Sequence, residues 1–137
     1  MRLWHQQILP YLNRQHILAQ WRECIAMLGN GWGKKHKTID YAFQYSESYL
    51  IAYSTFVISE MLKRGYHPNQ DLIRIALADR RGKTMEEICQ LTDEAREIVK
   101  NCMDKGENVY TEHNEEYLEE CIDLLIDKGY PIDFYKK

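Results

Sequence analysis

Three apolar stretches of this chain end alike, and that repetition constrains the fold more than any other feature. Each runs at helical spacing into cations followed by a glycine: Lys63-Arg64-Gly65, Lys105-Gly106 and Lys128-Gly129. Cations suit the negative end of a helix, and glycine takes the left-handed conformation that closes its last turn. From Ser46, the positions Leu50, Tyr53, Val57, Met61 and Leu62 describe one such helix, with apolar side chains recurring every three or four residues. An earlier one carries Leu12, Ile17, Leu18, Trp21, Ile25 and Leu28 and stops at the turn-rich Gly29-Asn30-Gly31-Trp32-Gly33. A shorter helix is expected from Asp71 to Asp79. Thr84 with Glu87 forms a capping-box pattern that opens another, and a second start at Thr92 or Asp93 runs to Lys105. The last long helix spans roughly Asn114 to Lys128, with Tyr117, Leu118, Cys121, Leu124 and Leu125 facing inward.

The three glycine ends lie 41 and 23 residues apart, too unequal for a helical repeat. No alternating strand pattern competes. The fold reading is all-α: a single compact domain over residues 1–137, about five helices joined by irregular loops. At 45% hydrophobic, the chain has enough apolar residues for one proper core. No stretch approaches the roughly 18 apolar residues of a membrane span. The opening Met1-Arg2-Leu3-Trp4-His5 lacks the apolar segment of a signal peptide, so no membrane partner and a cytoplasmic location are expected. Cys24, Cys89, Cys102 and Cys121 have neither C-x-x-C nor zinc-finger spacing. They read as small buried apolar side chains, with no metal site and no disulfide framework.

The net charge of −3 and a pI near 6.0 argue against an ordinary basic nucleic-acid binder. Split at residue 66, however, the chain is +4 before and −7 after. That asymmetry fits an electropositive face for an anionic ligand. Charges that mix in three dimensions would fit it equally well.

Ionisable groups interrupt the first helix in two rows. His16 and Glu23 are seven residues apart, nearly two full turns, and Gln15 and Arg22 form a second row beside them. A solvated helix face explains such rows as readily as a site does. Lys34, Lys35, His36 and Lys37 follow the glycine-rich turn. Trp32, between glycines and beside lysines, is either an exposed aromatic for wedging or stacking on bases or a loop anchor tucked against the core. The bulky Arg2 opposes removal of the initiating methionine, leaving an α-amine on Met1. Such amines have reference pKa values near 7.7–8.0, well below lysine.

Taken in order, Arg2-Leu3, Gln15-His16, Arg22-Glu23, His36-x-Thr38-x-x-Tyr41, Glu60-x-Leu62-Lys63-Arg64-Gly65-Tyr66 and Tyr110-x-x-His113 resemble the pyrimidine-dimer DNA glycosylase/AP lyase family, of the phage endonuclease V type. The resemblance is strongest to a bacterial branch beginning Met-Arg-Leu-Trp-His and carrying Gly31-Trp32-Gly33-Lys34-Lys35-His36. It implies a mostly helical monomer that needs no metal or cofactor and acts on damaged double-stranded DNA. It also implies base release by an N-terminal amine, then β-elimination through a Schiff base. On that basis Met1 is the nucleophile and Glu23 the essential carboxylate. Arg2 and Arg22 clamp phosphates, Gln15 and His16 line the sugar-phosphate side, and Lys34, Lys35 and Lys37 attract the backbone.

Three features depart from the family pattern. Met1 stands in place of an exposed threonine amine. Ala26 occupies the position of a further arginine. The last helix carries Glu115, Glu116, Glu119, Glu120 and Asp123, which would repel DNA if they faced it. Alternative functions are a glycosylase/lyase for another damaged or modified base, and a non-catalytic nucleic-acid or protein binding module on the same scaffold. The acidic helix would be the protein-binding surface.

Overall fold

A computed structural model describes residues 1–136. An extended N-terminal segment leads into a 3-10 helix, Gln6–Tyr11, whose buried Ile8 and Leu9 pin it to the core. Five α-helices follow: α1 Arg14–Leu28, α2 Glu47–Lys63, α3 Asp71–Asp79, α4 Met85–Lys105 and α5 Glu115–Asp127. A second 3-10 helix, Asp40–Gln44, precedes α2. No strand occurs among the described residues. The fold is all-α, packed around one hydrophobic core.

Helix α2 is the central element because it is apolar on most of its circumference. Leu50, Ile51, Ala52, Tyr53, Val57, Ile58 and Met61 are all buried, and both 3-10 helices, α1 and α4 pack against it. Its end follows the expected chemistry: Gly65 takes φ +82°, the left-handed conformation that costs other residues a steric clash.

Two sequence expectations are corrected here. There is no second helix start at Thr92 or Asp93, since α4 runs unbroken from Met85 to Lys105. The Thr92 hydroxyl donates to the Ile88 carbonyl at 2.8 Å and so sits inside a helix rather than capping one. Cys89 is exposed, while Cys24, Cys102 and Cys121 are buried and all four are free.

Helix α5 is tied to the rest chiefly through the N-terminal segment. The Tyr117 hydroxyl donates to the Leu3 carbonyl at 2.6 Å, and His113 Nδ1 accepts the Gln6 amide at 3.1 Å. His113 is stacked on His5, with ring centroids 5.3 Å apart, and its Nε2 meets the Tyr41 hydroxyl at 2.7 Å. Burial, with His5 alongside, pushes the His113 pKa down to about 3. An unfolded histidine titrates near 6.5, so between these values the unfolded chain binds the extra proton. This histidine's contribution is therefore complete above about pH 6.5 and is lost as pH falls toward the folded value. The urea midpoint of the native chain should fall more steeply from pH 7 to 4 than that of His113→Asn. Parallel profiles would show that His113 is not the acid-sensitive group.

Candidate functional site

The buried Gln20, 1% exposed, organises the N-terminus. Its Oε1 accepts the Trp4 amide at 2.7 Å, and its Nε2 donates to the Arg2 carbonyl at 2.9 Å. A longer 3.4 Å contact joins the same Nε2 to the Glu23 carboxylate. The Tyr53 hydroxyl supplies one proton shared between the Trp4 carbonyl, at 2.6 Å, and Gln20 Oε1, at 3.0 Å. One amide thus holds both the entering chain and the carboxylate one turn further along α1.

Beside this clamp opens a cleft of about 330 Å³. Helix α1 contributes His16, Ala19, Gln20 and Glu23, the i, i+3, i+4, i+7 face of a single helix. Met1, Arg2 and Trp4 form one wall, His36 and Thr38 another, and Leu124 with Lys128 closes the α5 side. The Thr38 hydroxyl donates to the Met1 carbonyl, so the first residue is held at the cleft while remaining about half exposed (49%). Among the described residues no ion pair joins the Met1 amine to Glu23.

Tyr130 seats His16 at the cleft: its hydroxyl oxygen accepts the Asn13 amide at 2.7 Å and meets His16 Nδ1 at 2.8 Å, with the two rings stacked. Burial and, secondarily, the positive charge of Lys128 lower the His16 pKa, favouring the neutral imidazole.

Of the residues singled out in the sequence, Met1, Arg2, His16 and Glu23 meet in the cleft. Gln15 and Arg22 do not. They are exposed on the neighbouring row of α1, about 100° round the helix from His16 and Glu23. Lys34, Lys35 and Lys37 are exposed on the loop after α1. Arg2 is turned toward α5, its Nη1 donating to Glu120 at 2.8 Å and to the Tyr117 hydroxyl at 3.3 Å. Trp32 is not a free wedge. Its ring packs edge-on against Phe43 at 4.9 Å and carries the Arg81 guanidinium at 5.3 Å, so it anchors the loop.

The acidic helix turns most of its charge away from the cleft. At about 100° per residue, Glu115 and Glu119 lie roughly opposite the Leu124–Lys128 face, and Glu116 and Asp123 about a quarter to a third of a turn from it. Glu120, the nearest, is held by Arg2. A larger cavity of about 710 Å³ lies between α2, α3 and α4. Its walls are mainly apolar, and of the cations that line it, Arg74 and Arg96 are paired with Asp71 and Asp93 while Lys100 is the third. The smaller cleft is the one that gathers reactive groups.

The sequence profile of the family described as pyrimidine dimer DNA glycosylase matches residues 1–74. The chain belongs to that family. The match takes in α1, α2 and every cleft residue except Leu124 and Lys128, which α5 supplies. No curated protein and no solved structure matches the chain. Membership makes the function of the pyrimidine dimer glycosylase type, with DNA as substrate. No described helix is long and apolar enough to cross a membrane.

The sequence reading missed Gln20, Trp4 and Lys128 as cleft residues, and His36 and Thr38 as its walls. Gln20 left a signal in standing between His16 and Glu23 on one helical face, and Trp4, His36 and Thr38 stood in motifs without a role assigned to them. Replacing Gln20 with leucine strands the buried Trp4 amide and Arg2 carbonyl, at about 1–3 kcal/mol for each unpaired group. Gln20→Leu should therefore destabilise the fold by about 2–6 kcal/mol in urea denaturation. The Trp4 amide should also lose its protection from hydrogen exchange. Unchanged protection would mean that the N-terminal segment is held by other contacts.

Proposed function

We propose that this glycosylase releases the base at a pyrimidine dimer through attack of the Met1 α-amine on C1′ and then cleaves the strand as an AP lyase. The observation that carries this reading is that Met1 and Glu23 line one cleft, in a chain whose family match covers both. The N–C1′ bond forms as the glycosidic bond breaks, and the imine that follows acidifies the C2′ hydrogens for β-elimination. Glu23 stabilises the positive charge developing on the sugar and assists removal of the C2′ proton.

His16, lining the cleft, hydrogen-bonds a sugar or phosphate oxygen there. Lys128 adds positive charge on the α5 side. Arg2 reaches a phosphate by exchanging Glu120 for it, and its planar fork suits a phosphate as well as a carboxylate. Arg22, Gln15, Lys34, Lys35 and Lys37 flank the cleft on α1 and the following loop. They attract the backbone with the salt dependence expected of phosphate contacts.

Borohydride should trap a covalent adduct between the native chain and UV-irradiated or abasic duplex, located at Met1 by peptide mapping. Blocking the α-amine should abolish it. Glu23→Gln should slow strand cleavage by about 10²-fold or more while the protein remains folded. An adduct that forms equally well on the blocked protein rules out Met1 as nucleophile. A panel of UV-irradiated, abasic and alkylated duplexes tests the lesion class.

A further inference from the structure

Two imidazoles, His16 and His36, face the cleft, and Thr38 fixes the polarity of the second. The Thr38 hydroxyl has one proton, and its contact with the Met1 carbonyl uses that proton, because a carbonyl oxygen can only accept. The 2.9 Å contact between Thr38 Oγ1 and His36 Nδ1 must then be donated by the histidine. Nδ1 carries the hydrogen, and Nε2 is left with a free lone pair.

The ring is fixed at both ends of its short loop. The His36 amide donates to the Asp40 carboxylate at 2.7 Å, and Ile39, next to Thr38, is buried. The imidazole is itself exposed and lines the same cleft as Met1 and Glu23. The chain His36–Thr38–Met1 carbonyl ties the orientation of this ring to the residue that bears the proposed nucleophile.

We infer that His36 is the base that takes a proton from the Met1 nitrogen as it bonds to C1′. This inference rests on the amine reading above and adds a residue to it. When the neutral amine attacks, the glycosidic bond pair leaves with the base and the nitrogen becomes cationic with two hydrogens. His36 Nε2 accepts one of them. The freed nitrogen lone pair then forms the C=N bond as the C1′–O4′ bond breaks, and the imidazolium returns its proton to O4′. The balance is a protonated imine, an opened sugar and a neutral His36, with no outside reactant consumed. Glu23 remains available for charge stabilisation and the later C2′ proton.

The test is single-turnover imine formation on abasic duplex, trapped by borohydride at saturating protein, with binding of the same duplex measured separately. On the abasic aldehyde the attacking nitrogen must shed a proton in the same way. His36→Ala should slow trapping by about tenfold or more, with duplex affinity within about twofold, and added imidazole should restore much of the rate. Thr38→Val, which keeps the ring but removes its hydrogen-bond partner, should give a smaller loss. A His36→Ala rate equal to native, or a deficit that matches weakened binding and ignores imidazole, overturns the assignment. If the native chain itself forms no Met1 adduct, the amine reading fails and takes His36 with it. If the native chain forms the adduct and His36→Ala forms it equally fast, only His36 falls.

Discussion

Residues 3–5 are buried ahead of the first helix, with no strand beside them among the described residues, and the rest of the molecule is arranged around that requirement. Leu3 and His5 are essentially inaccessible and Trp4 nearly so. Buried amides and carbonyls must be paired, yet this extended segment has neither helix nor sheet to pair them. Side chains do it instead, from two sides. Gln20 and Tyr53 take the Arg2 carbonyl and both polar groups of Trp4. Tyr117 and His113 take the Leu3 carbonyl and the Gln6 amide. Successive residues of an extended chain point to opposite faces, which is why one segment can be held by α1 and α2 on one side and α5 on the other.

That arrangement also places the chemistry. Because the segment is clamped at Arg2 and Trp4 by the same amide that touches Glu23, Met1 emerges into the cleft that Glu23 also lines. Thr38 holds its carbonyl from the far wall. The acidic C-terminal half, which seemed at odds with a DNA substrate, contributes its inner face to the cleft through Leu124 and Lys128. The carboxylates of Glu115 and Glu119 point the other way. The net charge of −3 is therefore a poor guide to the site, whose lining places Arg2 and Lys128 alongside Glu23.

Much of the helical framework was legible because it depends on neighbours in sequence. The expected span Asp71–Asp79 is the observed α3, and Gly65, Gly106 and Gly129 all take positive φ after their helices. The misread helix start and the open choice at Trp32 share a physical cause. Thr92 has good capping chemistry, but the apolar face of α4 continues past it through Ala95 to Cys102 against the core, so packing carries the helix through. Trp32 lies among glycines and lysines, and the sequence left it either an exposed aromatic or a loop anchor. Phe43 and Arg81, which cover it, come from segments distant in the chain.

The sequence by itself determined the class of fold, the helix ends and the row of His16 and Glu23 on one face of α1. Each follows from helical period and capping, which act over a few residues. The family, too, was legible in ordered motifs. The cleft was decided only by tertiary structure. Which of two polar rows on α1 faces it, the identity of Gln20 as the clamp, the entry of Lys128, the seating of His16 on Tyr130 and the tautomer of His36 all depend on partners 16 to 114 residues away or across a folded loop. A hydrogen bond fixes geometry only when both ends are held, and here the opposite end is supplied by the packed core.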